Sequence, residues 1–401
     1  MSSLYDRLSP VVQTLPPSGI RRFFDLANQM EDVISLGVGE PDFVTPWHVR
    51  EACFYSLERG FTTYTSNKGL PELRKAIADY LQKFDLQYDP EELVVTVGGS
   101  EAIDIALRTL ICPGDEVLIP EPAYVSYRPC AVLAGGRAVG IPTFAADDFR
   151  LMPEHLRARI TPQSKVLILC FPSNPTGAIM TRQDLQAIAD VVIEHDLFVV
   201  SDEIYAELTY EGEHVSIASL PGMKERTVVI SGMSKAFAMT GWRIGYAAAP
   251  PEILNLMLKI HQYTIMCAPI MGQKAALEAL LHGESEKRHM VERYDQRRRL
   301  IVKGFRDIGL ACHEPKGAFY AFPDIRSTGL TSEQFAEQLL HYGVAVVPGN
   351  VFGEGGEGFV RCSYATSTEN IQKALGRIGQ FVQHLKQNSS QPVPAPSKAA
   401  K

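Results

Sequence analysis

The stretch Leu93-Val-Val-Thr-Val-Gly-Gly-Ser-Glu-Ala-Ile-Asp-Ile-Ala-Leu-Arg-Thr-Leu110 decides the fold. Its first five residues, Leu93–Val97, are apolar or β-branched at every position, as in a strand covered on both faces. Two glycines and a serine follow. Ala102, Ile103, Ala106, Leu107 and Leu110 then recur with the 3.6-residue period of a helix. The alternation continues outward. Glu116–Ile119, Lys165–Cys170, Leu197–Ser201, Arg226–Ser231 and Ile244–Ala248 are similar short runs, and Leu185, Ile188, Ala189 and Val192 mark a helix before the run at Leu197. Strands alternating with helices predict an α/β fold, a mostly parallel sheet flanked by helices.

The last third reads differently. A long charged helix is expected over Glu284–Ile308, strands over 318–322, 345–348 and 359–364, and helices over 332–342 and 371–386. This is the pattern of a smaller α+β lobe, which the residues before about Pro46 are expected to join. The predicted division is an N-terminal arm with part of the small domain (1–45), a large domain (46–285), a small domain (286–387) and a disordered tail rich in Ser, Gln, Pro and Lys (388–401). Gly353-Glu-Gly-Gly-Glu-Gly358 matches G-x-G-x-x-G, but it precedes a strand and not a helix, so it is not read as a dinucleotide site.

Composition removes several classes. With 401 residues, 45% apolar and 21% charged, the chain is long enough for two or three domains and is ordinary for a globular protein. Its 46 acidic against 39 basic residues give a net charge of −7, which argues against a nucleic acid or an anionic membrane as partner. No run approaches about 20 apolar residues. Met1–Leu15 carries Asp6 and Arg7 without an apolar core, so neither a membrane span nor a signal peptide is expected, and the cytoplasm is the expected location. Seven cysteines without a C-x-x-C pair are expected to be reduced thiols, with no disulfide framework and no metal site.

Ligands of open α/β sheets bind beyond the carboxyl ends of the strands, so the residues that follow each run matter most. Gly98-Gly99-Ser100 follows the first, Pro122-Ala-Tyr124 the second, Ser173-Asn174-Pro-Thr-Gly177 the third and Asp202-Glu-Ile-Tyr205 the fourth. Ser231-Gly-Met-Ser234-Lys235 follows the fifth, with Arg243 eight residues on. Each piece alone is common in helix caps, turns and surface ion pairs. Together they suit a phosphorylated pyridine aldehyde. Backbone N–H groups at Gly99 and Ser100 would cradle the phosphate, helped by the Ser234 hydroxyl and the Arg243 fork. Lys235 would condense with the aldehyde. Asp202 would keep the pyridine nitrogen protonated, Asn174 and Tyr205 would donate to the ring oxygen, and Tyr124 would lie against the ring face.

Ser234-Lys235-Ala-Phe-Ala-Met-Thr-Gly-Trp-Arg243-Ile-Gly245 resembles the cofactor-lysine signature of class I aminotransferases of fold type I, the enzymes that use pyridoxal 5′-phosphate. Further blocks extend the resemblance over nearly the whole chain: 36–43 (LGVGEPDF), 64–74 (YTSNKGLPELR), 174–177 (NPTG), 201–205 (SDEIY), 317–320 (GAFY) and 360–366 (VRCSYAT). The resemblance implies a seven-stranded large-domain sheet beside a smaller α+β domain. It implies a homodimer in which Tyr64 reaches the neighbouring subunit's phosphate, and it makes Lys235, Asp202 and Tyr205 the catalytic set. Arg361 would grip the substrate α-carboxylate, with Gly39, Asn174 and Tyr124 also facing substrate. Trp242 is read as packing.

Among such enzymes the pattern is most similar to bacterial alanine- and aspartate-type transaminases. Aspartate-type relatives often carry a lysine where Ser100 stands. That residue, with Ile20 in the segment Pro17–Ile20, leans toward alanine or another neutral amino acid as donor, and 2-oxoglutarate is the implied acceptor in a ping-pong reaction. Aspartate or aromatic transamination, or a β-lyase reaction on the same fold, is the alternative.

Overall fold

In the computed structural model, which describes residues 4–17, 19, 30 and 32–389, the apolar runs assemble into one seven-stranded sheet. Its strands are β1 (Leu93–Thr96), β2 (Glu116–Glu121), β3 (Arg137–Pro142), β4 (Ser164–Cys170), β5 (Phe198–Asp202), β6 (Thr227–Gly232) and β7 (Gly245–Ala248). The spatial order is β1-β7-β6-β5-β4-β2-β3. All neighbours pair in parallel except β7, which is antiparallel to both β6 and β1. The sheet is mostly parallel, as expected. The apolar pattern of Ile244–Ala248 gave its burial but not its reversed direction.

β3 is absent from the runs read as strands. It lies at the sheet edge, only Ile141 of its six residues is buried, and its sequence (RAVGIP) holds a glycine and a proline. A half-exposed edge strand carries neither a continuous apolar run nor clean alternation.

The central strands are covered on both faces. Val94, Ile168, Val200, Ile230 and Ala247 face the helix Gly98–Leu110 and its Ala102, Ile103, Ala106, Leu107 and Leu110. Leu93, Val95, Val229 and Tyr246 face a second layer that includes Leu73 and Ile77 of the helix Pro71–Leu81. Burying each Leu or Ile of these layers contributes roughly 1.5–3 kcal/mol, which fixes the register and with it the position of every strand end.

The C-terminal part centres a further core, which Tyr205, Leu208 and Ala238 join from the sheet side. Met290, Tyr294, Ile301 and Phe305 of the helix Glu284–Ile308 pack with Phe319, Phe335, Leu339, Ile371 and Phe381. Ile34–Ser35 pairs in parallel with Val344–Ala345, and Leu36 is buried in this same core. Three short strands, β8 (Tyr320–Ala321), β9 (Val347–Pro348) and β10 (Val360–Ser363), pair antiparallel in the order β9-β10-β8. The closing helix runs Thr368–Ser389, two residues into the stretch expected as a tail, because the amphipathic pattern ending on docked Phe381 and Val382 carries the last turn with it. The rest of that tail, and Ile20, lie outside the described residues. Gly353–Gly358 is a packing loop ahead of β10, where a Cβ on Gly353 would come within 2.5 Å of the Glu121 side chain. Among the described residues no helix is long and apolar enough to cross a membrane.

Candidate active site

The ends of β1, β2, β4, β5 and β6 converge with β8 and β10 on one cavity of about 520 Å³. Lys235 sits in the short helix Met233–Ala236 that follows β6, and its Nζ donates to the Gly39 carbonyl at 2.6 Å. Burial first, then the nearby Arg361 charge, lowers its pKa to about 8. Near neutral pH this amine therefore yields its proton far more easily than a surface lysine.

Asp202 ends β5. Its Oδ2 accepts from the Tyr127 hydroxyl at 2.7 Å and its Oδ1 from the Ile204 N–H at 3.2 Å. Burial pushes the carboxyl up to about 6 in spite of these donors. A buried carboxylate with two neutral donors is short of a positive partner. Tyr205 lies three residues on, buried, with its hydroxyl 2.8 Å from that of Tyr320.

The helix Gly98–Leu110 opens at the cavity, where the first-turn N–H groups of Gly99 and Ser100 have no partner within the helix. Glycine is required on two sides here. Gly98 has φ +73° and a Cβ on it would come 2.5 Å from Arg243 Nη2, while a Cβ on Gly245 would come 2.5 Å from the Gly98 carbonyl carbon. Arg243 itself is left-handed at φ 55°, a conformation that costs a non-glycine residue about 1–2 kcal/mol, and its Nη1 donates to the Thr240 carbonyl at 2.9 Å. The result is a cradle of amide dipoles with a guanidinium beside it, suited to a phosphate.

Arg361, on β10, is 2% exposed. Its Nη1 donates to Asn174 Oδ1 at 2.9 Å and its Nη2 to the Gly37 carbonyl at 2.7 Å, while its Nε is buried without a partner. The Tyr320 ring supports the guanidinium at 4.5 Å and Phe352 at 5.0 Å.

Of the residues singled out from sequence, Gly39, Gly99, Ser100, Tyr124, Asn174, Asp202, Tyr205, Ser234, Lys235, Arg243 and Arg361 all line this cavity. Tyr64 does not; it is 78% exposed on the surface of the chain. Trp242 packs as expected, donating to Thr45 Oγ1 at 2.9 Å. Several lining residues were given no site role from sequence, among them Tyr127, Ile204 and Tyr320. Tyr127 stands three places after Tyr124, and Tyr320 closes the quoted GAFY block, but only tertiary packing brings either onto Asp202 or Tyr205.

Such a fold and site define an enzyme that seats an anionic carbonyl compound beside a reactive amine. Residues 31–378 match the model for aminotransferases of class I and II, and the chain belongs to that family. It is 57% identical to the putative aminotransferase YugH of Bacillus subtilis over 94% of this chain and 98% of that one. It is 46% identical to an aspartate aminotransferase of Pyrococcus abyssi over 94% and 99%. The structure superimposes on an aromatic aminotransferase from Pyrococcus horikoshii with TM-score 0.87 and 47% identity, covering 91% of this chain and 99% of that one.

The family depends on pyridoxal 5′-phosphate, and the residues fit that group. The glycine-lined helix start suits its phosphate, the buried carboxyl its protonated ring nitrogen, and the lowered lysine its aldehyde.

Proposed function

We propose that this aminotransferase moves the amino group of a neutral L-amino acid, alanine first, to a 2-oxo acid in a ping-pong cycle. The observation that carries the donor class is the charge inventory of the cavity. Its lining cations are Lys235, Arg243 and Arg361, and each has work near the lysine, the phosphate or the α-carboxylate. Among the described lining residues none is left for a side-chain carboxylate. Glu40 adds a negative charge, and Ile204, Val125 and Tyr124 add apolar surface. The same count bears on 2-oxoglutarate, whose second carboxylate then needs a cation from a partner subunit. Aspartate is the second reading, favoured by the Pyrococcus abyssi relative's name.

When bound, pyridoxal 5′-phosphate supplies an aldehyde for amines and an electron-withdrawing ring that acidifies the substrate Cα–H. Lys235 Nζ takes the proton from Cα and later returns it, and its lowered pKa makes both transfers accessible near neutrality. Asp202 holds a positive charge at the ring nitrogen. Tyr205 and Asn174 would donate to the ring oxygen, and Tyr124 would lie against the ring. Gly99, Ser100, Ser234 and Arg243 hold the phosphate. Arg361 binds the substrate carboxylate as a fork, beside Gly39, and its unpartnered Nε is a donor in reserve.

A panel of amino acids against pyruvate and 2-oxoglutarate tests the donor class. The expected result is kcat/KM for alanine at least about tenfold above that for aspartate, the scale of one exposed charge misfit. A preference for aspartate would overturn the neutral-donor reading, and amine release without consumption of the oxo acid would favour the lyase.

Arg361→Lys keeps the charge and loses the fork. KM for both amino and oxo acid is expected to rise about tenfold, on the order of one charged hydrogen bond. Unchanged steady-state constants for both would remove Arg361 from the site.

A homodimer is part of this reading. Trp47, Phe54, Tyr55, Tyr64 and Tyr263 are each more than half exposed on the single chain, an apolar area that calls for a cover. Sedimentation as a 44.3 kDa species would remove Tyr64 from the neighbouring site. A division near residue 285 is supported by the core built around the helix Glu284–Ile308, which takes only Tyr205, Leu208 and Ala238 as buried members from residues 46–285, and a cytoplasmic setting by seven unpaired cysteines.

A further inference from the structure

We infer that Tyr320 is a positioning residue that joins the two halves of the site: its hydroxyl donates to Tyr205 and its ring carries Arg361. The inference rests on the reading of Tyr205 as the donor to the cofactor's ring oxygen.

The geometry has three parts. Tyr320 on β8 pairs directly with Ser363 on β10, and Arg361 lies two residues from Ser363 on that strand's same face. The diagonal neighbour relation puts the Tyr320 ring 4.5 Å from the Arg361 guanidinium carbon. On its other side the Tyr320 hydroxyl is 2.8 Å from the Tyr205 hydroxyl, the two rings meeting edge to face at 76°. Gly39 closes the third side, since a Cβ there would come 2.7 Å from the Tyr320 oxygen and 3.7 Å from Arg361 Nη2. Only glycine lets this phenol sit between the backbone that receives Lys235 and the arginine.

Counting hydrogens assigns the direction of the bond. Each phenol has one hydrogen. If Tyr205 spends its hydrogen on the ring oxygen, the hydrogen between the two phenols must come from Tyr320. A hydroxyl that accepts such a bond becomes a stronger donor in a dry site. Both phenols are at most 4% exposed, and burial holds both protonated well past neutrality. The Tyr320 hydroxyl therefore strengthens the Tyr205 bond to the ring oxygen and favours the anionic form of that oxygen. The charged and titratable groups facing the pair are Arg361, Lys235, Tyr124 and the Cys170 thiol, with Asp202, Glu40 and Arg243 facing Lys235. Tyr320→Phe leaves all of them in place.

The test is a pH titration of the visible absorption of the resting holoenzyme. It compares wild type, Tyr320→Phe, Tyr205→Phe and the double variant. Tyr320→Phe is expected to raise the midpoint by about half a pH unit, the scale of one neutral hydrogen bond. In the Tyr205→Phe background the same change is expected to move it by less than about 0.1 unit, because the hydroxyl acts through Tyr205. A midpoint that does not move in the single variant, or that moves equally in both backgrounds, would overturn the inference.

Steady-state constants give a second readout. Tyr320→Phe keeps the ring under Arg361, so kcat falls about threefold with KM within twofold. Tyr320→Leu also removes the ring, so KM for the amino acid rises at least about fivefold, the scale of a buried cation–ring contact. KM unchanged in Tyr320→Leu would reject the link to Arg361. A wild-type protein that takes up no coloured cofactor would instead reject the proposed function. A coloured enzyme with unmoved midpoints rejects only the part assigned to Tyr320.

Discussion

Lys235→Ala is expected to lower transamination by at least about 10⁴-fold and to abolish borohydride-trapped label at position 235. One side chain is asked to do two jobs. It is the only amine among the described lining residues of the cavity, and it is held 2.6 Å from the Gly39 carbonyl. Its lowered pKa, about 8, is set by burial and by Arg361. Removing a positioned acid/base alone costs about 10²–10⁴, and losing the covalent attachment as well adds to that. Ten-thousandfold is about 5.5 kcal/mol of barrier. The measurement is single-turnover conversion of an amino acid by reconstituted variant and wild type. Rates within tenfold of one another would end the assignment of Lys235, and with it the reading of the whole cavity.

Asp202→Asn is expected to act in opposite directions on activity and on the cofactor-free protein. Activity should fall at least about 10²-fold, because breaking a buried ion pair costs roughly 3–5 kcal/mol. The apoprotein should become more stable. Burial raises the Asp202 carboxyl to about 6 in the folded chain, against about 4 in an unfolded one. A carboxyl raised by folding is charged more readily when unfolded, so its charge opposes folding. The cost is absent below about pH 4, where both states are neutral, and it grows between pH 4 and 6. Above pH 6 it is full, at about 3 kcal/mol for a two-unit shift. Asn keeps both partners: its oxygen accepts from the Ile204 N–H, and its NH2 donates to the Tyr127 hydroxyl oxygen once that hydroxyl turns its hydrogen away. Thermal melts of the apoprotein should therefore show Asp202→Asn above wild type at pH 7–8 and level with it near pH 4. An apo variant that melts lower at pH 7, or an activity loss under tenfold, would remove Asp202 from its place opposite the ring nitrogen.

How much of this was legible along the chain depended on where each residue's signal came from. β4, β5 and β6 are apolar at nearly every position because both faces are covered, so they stand out in sequence. β3 lies on the edge with one buried residue and left no such trace. The reversed direction of β7 was hidden because burial patterns read the same both ways. The site residues at strand ends were legible for a related reason: position after a strand is a sequence property, and the C-terminal edge is where such sheets bind ligands. Tyr127 and Tyr320 were not, because a tyrosine in a helix or a two-residue strand is indistinguishable from core until its hydroxyl finds a partner. Tyr64 is exposed on this chain, so no intrachain contact speaks for it.

The sequence by itself determined the α/β architecture, the identity of the family and the set of chemical groups offered at the cavity. Each follows from local pattern: apolar periodicity, glycines at strand ends and ordered motif blocks. Only the tertiary structure decided which of those groups touch. Asn174 and Arg361 are 187 residues apart yet share a 2.9 Å hydrogen bond, and Tyr205 and Tyr320 are 115 apart and share one of 2.8 Å. It also decided the protonation of Lys235 and Asp202, since a pKa is set by burial and by neighbouring charge, and neither exists until the two cores close around the site.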